Sequence, residues 1–394
     1  MASITLPHHV GFIAGAAIAA YILRKYWLAW NRPPFPPGPK PLPLIGNLLD
    51  VRRSRMALNF ADFGEKYGPA TFLRLPGSNL LIINSYDVAY ELLDKRGTLY
   101  ADRPRMVMMG ELIGASRATP LRPYGPGWKL QRRYLRQALS VTGVRNNYAA
   151  LLQNKWTTYV NCLFNNPEEF IGEASRIIGE AVVAMTYGRP TDDLGNNYLE
   201  LNRNLLKIVA RATLGYVVDI VPALKHLPQW LPGMKFKRDA FQWRAEIDEL
   251  RRLMFTCAIK DAVQLGSDAP PSFTVDALRE LQDGGEELTE SNENVQAILN
   301  SGVAFFSGER FLLAMALFPE AQAAAHAELD CLIGRGRLPD FDDWEKTPYL
   351  RATVLEALRW SPAIPLNIPH RLLEDDIWNG YFIPKGTSVF ANIW

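Results

Sequence analysis

The chain is 394 residues long, 48% hydrophobic and 21% charged, which excludes wholesale disorder and collagen-like structure and leaves ample length for a buried core. Its 43 lysines and arginines stand against 41 acidic residues, and a net charge of +2 without a dense basic tract gives no field for nucleic acid. Three scattered cysteines, Cys162, Cys257 and Cys331, make neither a disulfide framework nor a Cys-x-x-Cys pair and fit a reducing, cytosolic face.

The first feature in chain order is Val10–Leu23, fourteen uncharged and mostly apolar residues. As a helix it covers roughly 21 Å, short of a hydrocarbon core of ~30 Å. Arg24 and Lys25 follow at once, with Tyr26, Trp27 and Trp30 beside them. A cleaved signal peptide wants its positive charge before the apolar run, and a buried core helix would suit the short length. A membrane anchor with the body in the cytosol accounts best for charge after the run. The expected organisation is therefore an anchor over residues 1–30, a Pro-rich arm over 31–43 and a body over 44–394. The arm holds six prolines in the nine residues Pro33–Pro41, which excludes helix and central strand and predicts a stiff extended strut.

In the body, Ala57–Tyr67 carries helical spacing. Thr71–Leu75 and Asn79–Asn84 read as strands around Pro76-Gly77-Ser78. Helical spacing then recurs at Tyr86–Lys95, Trp128–Ala138, Ala149–Phe164, Ala174–Tyr187, Tyr198–Leu214, Phe236–Leu265 and Asn292–Phe318. A further helix runs from a Thr347 cap through Pro348 to Ser361-Pro362, with Leu350, Val354, Leu355 and Leu358 as its apolar face. Glu356 and Arg359, three apart on it, share a face. Trp378–Ile383 and Thr387–Ile393 read as a second hairpin around Pro384-Lys385-Gly386. The fold class is mainly α with small β-sheets near each end, an α+β arrangement. There is no G-x-G-x-x-G after a strand, no G-x-S-x-G, no H-E-x-x-H and no P-loop. Three of the five histidines, His8, His9 and His226, fall in the anchor or a Pro-rich loop, so no histidine metal site is expected.

The order of pieces resembles the microsomal cytochrome P450 family of haem-thiolate monooxygenases. It comprises an anchor, PPGPKPLPLIGN, a helix bearing WKLQR, a long central helix, Glu-x-x-Arg, then PHR and a closing FANIW. MTYG at Met185–Gly188, LPQWLPGMKFKR at Leu227–Arg238 and IPHR at Ile368–Arg371 resemble fungal members of secondary metabolism. The resemblance implies a haem cofactor held at its propionates by Trp128, Arg132, His370 and Arg371. It also implies a buried Glu356–Arg359 pair that fixes the core and would be costly to break. An apolar small-molecule substrate would be met by the loop Met106–Arg122, the segment Ile208–Leu231 and the strand Ala363–Ile368. A reductase taking electrons from NADPH would be the partner, with the basic stripe Lys129, Arg132, Arg133 and Arg136 as a docking face or an ordinary solvated one. Membrane lipid, of the endoplasmic reticulum, would hold the anchor.

Two departures bear on activity. The central helix reads NSGVAFFSGERFLLAMALFPE, with Arg310 where the family pattern has Thr, and about nine or ten residues fewer, which is roughly 14 Å of helix. Glu309 is then the remaining acid candidate for proton delivery, and no acid-alcohol pair is assigned. The chain stops at Trp394, before the family's Cys-containing loop, so the resemblance assigns no iron ligand to Cys162, Cys257 or Cys331. The reading is a partial domain, truncated at the C-terminus, of a monooxygenase that inserts one oxygen atom from O2 into an apolar molecule. The alternative is a non-catalytic, membrane-anchored helical binding protein or pseudoenzyme fragment.

Overall fold

The structure, a computed structural model, describes residues 32–52, 55–188, 216–264, 272–289, 292–299, 317–362 and 364–394, with isolated positions at 204, 207, 208, 211, 212, 314, 315. The expected anchor and Ser307–Arg310, including Glu309, lie outside them, as does most of the helix expected over Tyr198–Leu214. Among the described residues no helix is long and apolar enough to cross a membrane.

The sheet is built around one strand buried on both faces. Helix α1 (Met56–Tyr67) leads into β1 (Ala70–Leu75) and β2 (Ser78–Ile83), antiparallel from Ala70 opposite Ile83 to Leu75 opposite Ser78. Gly77, at φ 75°, makes the turn after Pro76 that β-branched residues could not. In β2, Leu81 and Ile83 join Phe72, Val88, Leu92 and Tyr100 on one side, while Leu80 and Ile82 join Phe60 and Leu73 on the other. A strand covered on both faces reads as a continuous apolar run, and Leu80–Ile83 is one. The arm is welded to this sheet. Phe72 N donates to Pro37 O at 2.8 Å, Phe35 stacks on Phe72 at 5.0 Å, and Arg74 lies 4.5 Å over the Phe35 ring. Gly38 passes so close that a Cβ there would sit 2.1 Å from Phe72 O.

After β2, helix α2 (Tyr86–Ala89) widens into a π-helical turn over Tyr90–Lys95. A second π-helical turn, Val107–Leu112, precedes α3 (Pro126–Ala138) and α4 (Val141–Asn147). The hairpin of α5 (Ala149–Asn165) and α6 (Phe170–Tyr187) follows, then the short α7 (Val217–Ile220) and the long α8 (Lys235–Gln264). Helix α9 (Phe273–Asp283) is enclosed over its first turns and packs Val275, Leu278 and Leu281 against Tyr134 of α3 and Val295 and Ile298 of α10 (Glu293–Leu299). Ser272 caps it by accepting from Val275 N.

Helices α11 (Pro319–Leu332) and α12 (Pro348–Trp360) pack together. Thr347 occupies the N-cap position, but its hydroxyl donates to Asp343 O at 3.0 Å. The cap comes instead from Glu328 of α11, whose two oxygens accept from Tyr349 N and Leu350 N at 2.9 Å each. On the expected apolar face Leu350 and Val354 are half-buried, whereas Leu355 and Leu358 are exposed.

The C-terminal β structure differs from the expected hairpin. Strands β4 (Asp376–Trp378) and β5 (Tyr381–Ile383) form a two-stranded sheet around Asn379-Gly380, both at positive φ, inside what reads as one strand. The Pro384-Lys385-Gly386 turn leads away to β6 (Ser388–Ala391), which pairs parallel with β2 and antiparallel with β3 (His370–Arg371). The four-stranded order is β1-β2-β6-β3. The strand expected over Ala363–Ile368 is also corrected: residues 364–368 run as turns, with Asn367 at φ 59°.

Candidate functional site

Three chain segments converge beside β3. The residue preceding proline prefers an extended backbone, and the stretch Asp102–Arg103 before Pro104 is not helical. Asp102 forms an isolated antiparallel bridge with Arg371. His370 places Nδ1 2.7 Å from Tyr100 O, which fixes the ring as an Nδ1–H donor and leaves Nε2 free to accept. Burial, aided by the neighbouring Arg103 charge, holds the His370 pKa down to about 4, so the imidazole is neutral in neutral water.

Arg103 is the centre of the cluster. Its Nη1 donates to Ile368 O at 2.7 Å and to Pro369 O at 3.0 Å, while its Nε is buried and has no partner among the described residues. Burial, and then the positive charge of Arg132, press its pKa down to about 10, yet the group stays protonated at neutral pH. Arg132 lies on α3, 5.4 Å over the Trp128 ring, and Trp128 in turn packs on Tyr124 at 5.2 Å. Among the described residues neither Arg103 nor Arg132 has a carboxylate within ion-pair distance. The result is a cationic cradle of Arg103, Arg132 and neutral His370, with Trp128 as its aromatic wall.

Of the expected anion contacts, then, Trp128, Arg132 and His370 come together, and Arg371 does something else. Its Nε donates to Asp102 Oδ2 at 2.7 Å, and its Nη2 bonds the same oxygen. Glu356 and Arg359 do pair, at 2.8 Å and 2.6 Å, but their side chains are 60% and 72% exposed. The expectation of a buried pair is corrected: this one lies in water, where the partner's hydrogen bond still lowers the Glu356 pKa. Arg103 was missed. The available signal was the Asp-Arg-Pro run, a charged pair held extended by proline between apolar stretches.

Two of the three expected substrate-contact regions pack together. Val107, Met108, Met109 and Ile113 share a core cluster with Val218, Ala240 and Trp243. Met108 N donates to Asp219 Oδ1 at 3.0 Å, and Lys225 Nζ reaches Glu111 at 2.6 Å. The third region supplies the Ile368 carbonyl that holds Arg103. The basic side chains Lys129, Arg132, Arg133 and Arg136 of α3 are exposed.

Comparison with known proteins is consistent with this architecture. The family model for Cytochrome P450 matches residues 36–394. The chain belongs to the cytochrome P450 family. It is 34% identical to Cytochrome P450 monooxygenase COX2 of Coprinopsis cinerea, covering 100% of this chain and 76% of that protein. It is 32% identical to Cytochrome P450 monooxygenase 105 of Postia placenta over 98% of this chain and 75% of the relative. Cytochrome P450 monooxygenase ple1 of Rhodocybe pseudopiperita is 33% identical over 96% of this chain and 74% of its own length.

Family membership implies haem, a cofactor with two propionates, and the cradle fits such carboxylates. A buried Arg103 Nε without a partner is a donor waiting for an acceptor, and two unpaired guanidinium groups favour an anion between them. The described cysteines offer nothing comparable for iron. Cys162 faces Arg176 of α6 across 3.8 Å, and Cys331 is exposed near the end of α11. Cys257 lies along α8.

Proposed function

We propose that this chain carries the cofactor-anchoring part of a membrane-bound monooxygenase of fungal secondary metabolism that inserts one oxygen atom from O2 into an apolar small molecule. The observation that carries the reading is the cradle itself, whose buried Arg103 Nε and unpaired Arg132 ask for carboxylates. Arg103 and Arg132 would hold the cofactor's propionates, with Trp128 packed beside them, and His370, whose Nδ1–H is engaged by Tyr100 O, would donate to a propionate only as the imidazolium. When bound, haem supplies the oxidation chemistry of the family. The chain's own contribution is to orient and neutralise the cofactor edge and to line an apolar approach. Met108 and Met109, packed on Val218 and Trp243, suit a hydrophobic substrate. Electrons would come from an NADPH-dependent reductase, with the exposed basic stripe of α3 as its docking face. The N-terminal apolar run would anchor the protein in the endoplasmic reticulum with the body in the cytosol.

The test is titration of the purified chain with iron protoporphyrin, followed by its Soret absorbance. Saturable binding that weakens at least tenfold in Arg103→Gln supports the reading, and binding unaffected by that change removes it. The water-exposed Glu356–Arg359 pair favours a second reading, a non-catalytic binding protein. A carbon monoxide difference band at the thiolate position would rule that out.

A further inference from the structure

The cradle draws one member from each of three elements: Arg103 from the stretch before Pro104, Arg132 from α3 and His370 from β3. Asp102 lies in the first, bonds the third and bonds the chain leading into the second. Its main-chain carbonyl accepts from Arg371 N at 2.7 Å, and its Oδ2 accepts from the Arg371 guanidinium, which ties it to β3. Its Oδ1 accepts from Tyr124 N at 2.8 Å, two residues before α3 begins. It precedes Arg103 directly, so its own placement sets where Arg103 leaves the chain. The side chain is 3% exposed, and its two oxygens are shared between Arg371 of β3 and the main chain leading into α3.

We propose that Asp102 is a positioning residue for the anion cradle, and that Arg371 serves as its counter-ion rather than as a ligand of the bound anion. The proposal rests on the reading of the cradle as a propionate site. A buried carboxylate beside that cradle would repel an incoming anion if it stood alone. Arg371 neutralises it through the direct ion pair, whereas Arg103 makes no ion pair with Asp102, which leaves the Arg103 and Arg132 charges available. The geometry also commits Arg371, because two of its nitrogens converge on one oxygen of Asp102. Two of its five N–H groups, and its charge, are thereby committed to Asp102.

The experiment compares two probes on the full chain: iron protoporphyrin, which carries two carboxylates, and its dimethyl ester, which carries none. Wild type should bind the diacid at least about tenfold more tightly than the ester. Asp102→Asn should bring that ratio to about two or three while ester binding stays within twofold, a pattern that general loss of structure would not give. Arg371→Gln should do the same, and the double variant should lose no more than the worse single variant, because the two act as a unit. Should Asp102→Asn fail to fold, Arg371→Lys gives the same comparison: it keeps the charge but not the two-pronged bond, and should lower the ratio part of the way. An unchanged ratio in whichever of the two can be measured overturns the proposal. Losses that multiply in the double variant also overturn it, since they would make Arg371 an independent anion ligand. If wild type itself does not distinguish diacid from ester, the propionate reading of the cradle falls, a different result from either.

Discussion

Two arginine–carboxylate pairs of the same chemistry stand in opposite surroundings. Arg371 and Asp102 are 269 positions apart, and the acid is enclosed. Arg359 and Glu356 are three apart on α12, and both reach into water. The local pair forms because helix geometry brings i and i+3 together whatever lies outside, whereas the distant pair forms only when β3 and the stretch before Pro104 are already in place. Pairing alone therefore says little; what surrounds the pair decides whether it holds structure. The same contrast separates their settings. Around Asp102 a second network, in which Arg96 bonds both Asp376 and Glu91, Tyr100 O–H donates to Asp376 and Trp378 Nε1 donates to Glu91, pins the β4–β5 sheet to the π-helical turn. Around Glu356, Leu355 and Leu358 are open to solvent.

The sharpest way to break this comparison is to remove one acid from each pair. Asp102→Ala should cost about 3 kcal/mol, discounted from the fully buried range because Arg371 is partly exposed, and urea unfolding midpoints would read it. A second effect is pH-dependent. The His370 pKa lies below its unfolded value of 6.5, so the unfolded state takes up the proton first. Stability should hold above pH 6.5, fall as pH drops towards about 4 and level off below. In His370→Gln that part of the slope should vanish in midpoints measured across the window. Phe35→Ala tests the arm: losing its stack on Phe72 and the Arg74 contact should cost about 1–2 kcal/mol and quicken proteolysis before Gly38. Smallest of all, Glu356→Gln should leave the unfolding midpoint within error, and a shift as large as that of Asp102→Ala would mean that the two surroundings are equivalent after all.

Much of the local structure was legible. The predicted helix Ala57–Tyr67 is α1 within one residue, and the hairpin around Gly77 was readable because Pro-Gly and apolar strands are local signals. The second hairpin was misplaced for a related reason. Asn379-Gly380 is the stronger two-residue turn, but it lies within an aromatic-rich run, and Pro384-Lys385-Gly386 drew the break instead. Within the site, Trp128 and Arg132 could be paired from their four-residue spacing. Arg103 and Asp102 could not, because their partners Ile368, Pro369 and Arg371 are far away in sequence. For Glu356 and Arg359 the spacing alone reads as an exposed i,i+3 pair, which is what the structure has, and it was the family resemblance that implied burial.

The parallel pairing of β2 with β6 has a consequence for how the protein is made. Leu80 must wait for Ser388, with which it is in register, and at 5–20 residues per second that wait on the ribosome is roughly 15–60 s. Throughout that interval the apolar strand has only β1 beside it and keeps one hydrogen-bonding edge bare. A nascent chain in that condition is a natural client for chaperones, and slowing translation between the two strands would lengthen its exposure.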